Sequence, residues 1–402
     1  MNYAIGLSDN CRNFSVEISY FTALKDEERS VFLSPFGLWT FLFNIVLGVS
    51  GSSAIQLRTA VILRNKNEES LVKHFRDFRN DVLKTNTPDV PLTMKGYIFL
   101  DGDFQINSEY YGNITYDAEI VNKVLELKII RTATNLINSY LSHSQDLILT
   151  EKDVHKSRMV MSSSLHFRGQ WHFTFNESKT TIEFFYDEHG NITGEVVMMH
   201  QRNRFPLANI KEMGAYVLEL PFGSRGKYCL LILLPSPGKT VTDVYKTLTA
   251  FPIKDIFYRM YNDTQNYENI DVRIPRFRIN NDIVLKEPLQ NMGVYDIFNQ
   301  EHADFTRVSN EKIFVSTIKQ RADIEVTESG IVSSAVTSAV FVSDAKTNSG
   351  SAGMTSDFRR PHLVYRINPP GYIVNKPFLY FVIEKCTVTI VFGGVFLKPS
   401  DH

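Results

Sequence analysis

The hydrophobic pattern changes character near the middle of the chain. Residues 14–24 and 71–84 carry apolar side chains at helical spacing, and residues 38–48 are apolar nearly all round, which predicts a helix inside the core. Ser34 and Pro35 precede this helix and are typical of a cap and a first turn. From about residue 158 onward, short runs rich in Val, Ile, Leu and Tyr predict strands. The pattern therefore predicts a helical first half and a strand-rich second half.

Composition narrows the classes of protein. The chain has 402 residues, 43 Lys and Arg against 44 Asp and Glu, and 43% hydrophobic residues. It can bury a large core, and its near-neutral charge argues against a general nucleic-acid binder, which needs a basic surface. Length alone favours two or three domains, at about 150 residues each. The three cysteines, at positions 11, 229 and 386, are expected to be free thiols, mostly buried.

The sequence also bears on location. The longest apolar runs are too short to span a bilayer, so no membrane partner is expected. The N-terminus lacks a basic start followed by an apolar block, so it does not resemble a secretory leader. On sequence alone the protein is expected in the cytoplasm, with an extracellular location as the alternative.

The chain contains none of the common catalytic or cofactor signatures. There is no HExxH, GxSxG, GxGxxG, Walker loop or CxxC. The ten histidines are scattered, and structural roles are favoured for them. We therefore expect no enzymatic activity, no metal site and no cofactor.

One segment stands apart from these patterns. Residues 344–355, DAKTNSGSAGMT, are small, polar and without an apolar period, which predicts an exposed loop. The loop lies between a strand-like segment and the closing hairpin, and it is long for a connection in a compact domain. Such a loop calls for a functional explanation.

Four segments, taken in chain order, resemble the serpin family of protease inhibitors: SPFGLWTFLFNIVLGVSGSSAIQL (34–57), GYIFLDGDFQINSEYY (96–111), SSLHFRGQWHFTF (163–175) and NKPFLYFVIEKCTVTIVFGGVFLKP (375–399). The resemblance covers essentially the whole chain. It implies a single α+β domain over 1–402, with three β-sheets and about nine helices. It also implies a hinge and an extended reactive-centre loop within 329–374.

The resemblance implies a mechanism as well. A serine or cysteine endopeptidase cleaves the loop and forms an acyl-enzyme, and the segment before the cut then inserts into the central sheet. An inserting segment must be a strand without charge or proline, because it becomes a central strand buried on one face. Residues 329–343 contain neither. The hinge includes Glu328 and Gly330, and one alternating face reads Ile331, Ser333, Ala335, Thr337, Ala339 and Phe341.

Departures from the family pattern leave an alternative open. After the hinge glycine, family inhibitors usually carry Thr or Ser, then Glu and then alanines, where this chain has Ile331, Val332, Ser333 and Ser334. Bulkier side chains would slow insertion. The alternative function is therefore a non-inhibitory serpin that acts as a cleavable binding or carrier protein.

Further residues match positions around the opening of the family's central sheet. Trp171 matches the conserved tryptophan, and Arg276 with Glu328 matches an ion pair that helps to hold the hinge shut. At the positions of the family's polar shutter, which uses Ser, Asn and His, this chain keeps Ser34 but has Gly37, Ser163 and Gln320.

The cleaved bond has two candidate positions. Counting from Gly330 gives Asp344 followed by Ala345, with Lys346 close by, whereas counting back from the closing hairpin gives Arg366. Asp344 and Arg366 lie 22 residues apart, which implies an insertion in the loop and adds ~70 Å of reach. A protease attached at Arg366 would stay on a long flexible tether and would not be distorted when the loop inserts. Inhibition is therefore expected at Asp344 or Lys346.

These bait residues indicate the partners. A target protease with trypsin-like or Asp-specific cleavage is expected, and the protein is expected to be a monomer. The helix at 71–84 matches a heparin-binding helix of some serpins, but Asp77 and Asp81 interrupt its basic stripe. Binding of a heparin-like polyanion is therefore not expected.

Overall fold

The structure is a computed structural model. It describes residues 2–25, 28–63, 68–84, 88–114, 118–121, 130–141, 148–263, 269–343 and 371–399.

Within these ranges the chain forms ten α-helices, compared with the nine or so expected: α1 (Asn2–Lys25), α2 (Pro35–Val46), α3 (Gly51–Ala60), α4 (Glu68–Leu83), α5 (Ser108–Ile114), α6 (Ile130–Leu141), α7 (Glu151–Val154), α8 (Val241–Leu248), α9 (Ile253–Asp263) and α10 (Lys286–Asn291). Helix α2 is the core helix that the sequence predicted. Ser34 caps it by accepting a hydrogen bond from the Gly37 amide at 3.0 Å, and all of its residues except Asn44 are buried.

Fifteen strands are described: β1 (Val31–Leu33), β2 (Leu92–Leu100), β3 (Glu119–Val121), β4 (Ser157–Gln170), β5 (Thr181–Tyr186), β6 (Ile192–Asn203), β7 (Leu207–Ile210), β8 (Ala215–Pro221), β9 (Tyr228–Pro235), β10 (Ile270–Val284), β11 (Phe314–Val326), β12 (Gly330–Val342), β13 (Gly371–Ile373), β14 (Phe378–Glu384) and β15 (Thr389–Phe396). Strands β1, β15, β14, β9, β8 and β7 form one sheet in that order. The second sheet runs β3-β2-β4-β12-β11-β10-β6-β5, and β13 pairs with β10.

The described strands therefore join into two hydrogen-bonded sheets rather than the three that the resemblance implied. The reason lies in β10, which is long enough to belong to two groups of strands. Its first part, Ile270 to Arg276, pairs with β6, and its second part, Phe277 to Val284, pairs with β11. One continuous strand thus links what would otherwise be separate sheets.

The position of α2 explains the hydrophobic pattern of the first half. The helix contacts β4 and β12 of the larger sheet and β15 of the smaller sheet. Side chains on every side of α2 therefore meet apolar neighbours, which accounts for a helix without a polar face. Its N-terminal cap, Ser34, lies directly beneath the central strands described next.

Candidate functional site: the inserted strand and its hinge

The segment expected to insert is already a strand in the centre of the larger sheet. Strand β12 is antiparallel to β4 on one side, from Gly330 opposite Gln170 to Val342 opposite Ser157. On its other side it is antiparallel to β11, from Ile331 opposite Val326 to Val342 opposite Phe314. The segment is thus paired on both edges over nearly its whole length, which satisfies backbone donors and acceptors on both sides.

The alternating face proposed from the sequence points into the core. Its six side chains are at most 2% exposed: Ile331, Ser333, Ala335, Thr337, Ala339 and Phe341. The opposite face begins in solvent, since Val332 is 52% exposed. Further along it is buried as well, at Val336, Ser338, Val340 and Val342. The expectation of a strand buried on one face is therefore wrong for the second half of β12.

Contacts above the sheet explain this second buried face. Ser338 lies opposite Lys319 of β11, and the Lys319 ammonium donates to Asp153 of α7 at 2.7 Å. Helix α7 therefore lies over the outer surface at this level. Burial opposes ionisation of Asp153, but hydrogen bonds from Lys319 and Thr150 outweigh it and lower the pKa of this carboxyl. Below α7, the Ser338 hydroxyl is 2.8 Å from the Ser162 hydroxyl of β4.

A tight turn joins β11 to β12. The Thr327 amide donates to the Gly330 carbonyl at 2.9 Å, and the Gly330 amide donates back at 3.3 Å. Gly330 has φ +156, and a Cβ at this position would run into the carbonyl oxygen of Gly169. Only glycine fits here, because the strand backbones approach too closely for a side chain.

Trp171 holds this turn from the side of β4. Its backbone amide donates to the Ser329 carbonyl at 3.0 Å, and its indole N–H donates to the Thr327 carbonyl at 2.8 Å. The ring stacks on Phe222 with centroids 4.8 Å apart. The tryptophan therefore supplies packing and two donors to the hinge turn.

Glu328 and Arg276 lie together at the same end of the sheet. The Arg276 guanidinium is 3.6 Å from the Glu328 carboxylate. The glutamate side chain is 7% exposed and the arginine side chain 50% exposed. Thr180 adds a second partner by donating its hydroxyl to Glu328 at 2.9 Å. The sequence matched the ion pair but gave no sign of Thr180, which lies far away along the chain.

The expected shutter residues form a hydrogen-bonded chain that reaches the inserted strand. The Ser34 amide donates to Gln320 Oε1 at 2.7 Å, and Gln320 Nε2 donates to the Ser34 carbonyl at 3.1 Å. The same nitrogen donates to Thr337 Oγ1 at 2.8 Å. The Ser34 hydroxyl donates to the Val391 carbonyl at 2.8 Å. Gln320 therefore links the α2 cap to β12, and Ser34 links the same cap to β15 of the smaller sheet.

Two other serines have different surroundings. Ser163 is buried in β4 directly opposite Thr337, so it lies at the shutter level. Ser333 is 2% exposed, and its hydroxyl oxygen has no hydrogen-bond partner. Burial of an unpaired hydroxyl is unfavourable, so this hydroxyl opposes the central position of β12 in the sheet.

The remaining sequence expectations fall partly outside the described residues. The bait candidates Asp344, Ala345, Lys346 and Arg366 all lie there. Helix α4 contains most of the segment that was compared with a heparin-binding helix. One of its basic side chains, the Arg76 guanidinium, donates to the Asn113 carbonyl at 2.9 Å.

The three cysteines are free, with Cys11 and Cys229 buried and Cys386 exposed. Burial raises the pKa of the Cys11 thiol to about 12. Within the described ranges, no three His, Cys, Asp or Glu side chains cluster as metal ligands. None of the described helices is long and apolar enough to cross a membrane.

Comparison with known proteins identifies the class to which this fold and hinge belong. A family model described as "Serpin (serine protease inhibitor)" matches residues 9–399. The chain therefore belongs to the serpin family, whose members are mostly protease inhibitors.

Individual relatives align over most of their length. Human Serpin B9 is 26% identical, with 98% of this chain and 99% of the relative aligned. Intracellular coagulation inhibitor 2 of Tachypleus tridentatus is also 26% identical, over 92% of this chain and 86% of the relative. Among solved structures, Cleaved Serpin 42Da superposes with a TM-score of 0.82 at 21% identity, covering 99% of this chain and 100% of that one.

Proposed function

We propose that this serpin inhibits an endopeptidase as a suicide substrate, by inserting Gly330–Val342 into its central sheet after the protease has cut the following loop. One observation carries the proposal: β12 pairs in register with both β4 and β11. A segment that inserts must fit between these strands without charge, proline or clash, and β12 meets each requirement.

Insertion supplies the driving force. The inward face of β12 buries Ile331 and Phe341 almost completely, and burying an aliphatic or aromatic side chain stabilises a fold by roughly 1.5–3 kcal/mol. A form in which β12 lies outside the sheet lacks this burial. Cleavage would release that stored free energy as movement of the loop.

The geometry of β12 favours a cut close to its C-terminal end. Asp344 follows Val342 by two residues, so a protease bound there would be carried along the length of the strand, a distance of about 40 Å. A protease bound at Arg366 would be tethered by 22 further residues. It would not be distorted by insertion, and it would hydrolyse the acyl bond and be released. The target is therefore an Asp-specific protease, or a trypsin-like one that cuts after Lys346.

The test is formation of a covalent complex that survives SDS. The protein is incubated with a panel of Asp-specific and trypsin-like proteases, and the complex is mapped by mass spectrometry. Asp344→Ala should abolish the complex with an Asp-specific protease, whereas the matched Arg366→Ala should leave it intact. Cleavage by every protease of the panel without any stable complex would instead favour the carrier alternative. A stable complex joined at Arg366 would show that the 22 additional residues do not prevent inhibition.

Two coarser proposals accompany this function. The whole of 1–402 acts as one domain, because both sheets pack on the shared helix α2. The protein acts inside the cell, as the printed name of the Tachypleus relative says of that inhibitor. Fractionation of expressing cells tests the location, and recovery of the protein only from the medium would refute it.

A further inference from the structure

A cleft of about 660 Å³ opens at one end of the smaller sheet. Three parts of the chain surround it: the end of α4 with Lys84, the turn before β9 with Arg225, and the turn between β14 and β15 with Cys386. No residue of β12 lines this cleft. Its volume falls in the range of sites that hold small organic ligands, about 300–1,000 Å³.

The floor of the cleft is apolar and held in place. Val90, Phe222 and Tyr228 line it, and each is at most 4% exposed. The Phe222 ring stacks on Trp171 with centroids 4.8 Å apart, and the Tyr228 hydroxyl donates to the Val82 carbonyl at 2.5 Å. Because these contacts need no ligand, a flat apolar molecule would meet a preformed surface.

Lys227 joins two walls of the cleft. Its ammonium donates to the carbonyls of Asp81 at 2.7 Å, Val82 at 3.3 Å and Lys84 at 2.6 Å. These carbonyls lie at the C-terminal end of α4, where a helix carries partial negative charge. The lysine therefore offsets the negative end of the helix at the edge of the cleft.

Two of the four basic side chains that line the cleft are already engaged by carboxylates. The Lys385 ammonium is 2.5 Å from Glu219, and the Lys227 ammonium is 3.8 Å from Glu384. Glu384 is fully buried and also accepts hydrogen bonds from the Thr387 amide at 2.8 Å and the Thr387 hydroxyl at 2.6 Å. These four charges therefore cancel in pairs.

The other two basic side chains, Lys84 and Arg225, are exposed. Neither forms a hydrogen bond or an ion pair with the part of the chain that the structure describes. Asp81 is the remaining acidic residue of the lining, so the cleft keeps an excess of one positive charge. Unpaired cations beside an apolar floor attract an anion that also carries an apolar body.

We propose that this cleft binds an organic monoanion with a flat apolar body, such as an aromatic carboxylate or sulfonate. The apolar body lies on Val90, Phe222 and Tyr228, and the acid group faces Lys84 and Arg225. The site goes beyond the proposed inhibition and does not depend on it, because it uses neither β12 nor the loop that follows.

Two fluorescent probes test the class of ligand. 8-Anilinonaphthalene-1-sulfonate carries the anion, and N-phenyl-1-naphthylamine has the same rings without it. The sulfonate should bind saturably and more weakly as sodium chloride rises from about 50 to about 500 mM, and the neutral probe should bind about tenfold more weakly than the sulfonate.

Paired substitutions test the residues. Lys84→Gln combined with Arg225→Gln should lower the affinity for the sulfonate about tenfold and leave that for the neutral probe unchanged. The matched control combines Lys239→Gln with Lys246→Gln, which removes two exposed charges that do not line the cleft. It should bind both probes as wild type does.

Cys386 reports whether the probe occupies this cleft. It lines the cleft and is exposed, whereas Cys11 and Cys229 are buried, so N-ethylmaleimide should modify Cys386 first. Saturating sulfonate should slow this modification at least about fivefold by restricting access to the thiol, as measured by mass spectrometry of the peptide that contains it.

Four results would overturn the proposal. They are equal binding of the two probes, equal loss of affinity in the control variant, unchanged modification of Cys386 by N-ethylmaleimide at saturating sulfonate, and a Lys84→Gln, Arg225→Gln protein that unfolds like wild type and binds the sulfonate as tightly.

Discussion

Gln320 Nε2 donates a hydrogen bond to Thr337 Oγ1 at 2.8 Å, joining β11 to the strand beside it through side chains as well as backbone. Both residues are at most 2% exposed. The other hydrogen bonds of the Gln320 amide go to the backbone of Ser34. Thr337 of β12 therefore supplies an acceptor to a side-chain donor that is buried in this arrangement.

Replacement of Thr337 by Val should destabilise the inserted form. The change keeps the side-chain volume but leaves one Gln320 N–H buried without an acceptor, which costs about 1–2 kcal/mol. Thermal or denaturant unfolding of loop-cleaved protein measures the loss. Thr337→Ser, which retains the hydroxyl, serves as the control and should keep most of the hydrogen-bond contribution. A Thr337→Val protein as stable as wild type would mean that the hydroxyl contributes nothing here.

Replacement of Ser333 by Ala should have the opposite effect. The Ser333 hydroxyl is buried without a partner, so its removal should stabilise the inserted form by about 1 kcal/mol. Faster insertion should also raise the ratio of trapped to released protease. Ser334→Ala, at the half-buried neighbouring position, should change neither quantity. A Ser333→Ala protein less stable than wild type would show that the Ser333 hydroxyl contributes a favourable interaction.

Charged substitutions at two adjacent positions of β12, one buried and one exposed, test whether inhibition requires insertion of this strand. Ile331 is 1% exposed and Val332 is 52% exposed. Ile331→Arg would place an unpaired charge in the core, which is strongly unfavourable, so covalent complex formation should be lost. Val332→Arg should inhibit nearly as well as wild type. If Ile331→Arg still trapped protease, insertion of β12 as far as this residue would not be required.

The contact between Lys319 and Asp153 predicts a pH dependence. Because the folded state lowers the pKa of Asp153, the carboxylate contributes stability above its unfolded pKa of about 3.9 and loses it as pH falls through the lower folded value. Asp153→Asn should thus cost about 1 kcal/mol at pH 7, and the difference should disappear in strong acid.

Unfolding between pH 2 and 8 measures this dependence. Glu325→Gln, at an exposed position of β11, provides the comparison and should show little effect at any pH. A cost for Asp153→Asn that persisted unchanged at pH 2 would show that the lysine contact is not its source.

Much of the fold could be predicted because the signals are local. The core helix α2 is predicted by a continuous apolar run and a Ser-Pro start, and both signals lie within one short segment. Local patterns could not show that β10 spans two groups of strands, since its partners β6 and β11 lie far apart in the sequence. Local patterns therefore predict the elements but not how many separate sheets those elements form.

By itself the sequence determined that residues 329–343 can become an internal strand, because the absence of charge and proline and the glycine at the hinge are properties of the segment alone. Only the tertiary structure decided what this strand meets. The approach of Gln320 to Thr337 and the burial of its outer face beneath α7 depend on the register of distant strands. Register is set by the packing of the whole sheet and not by any single segment.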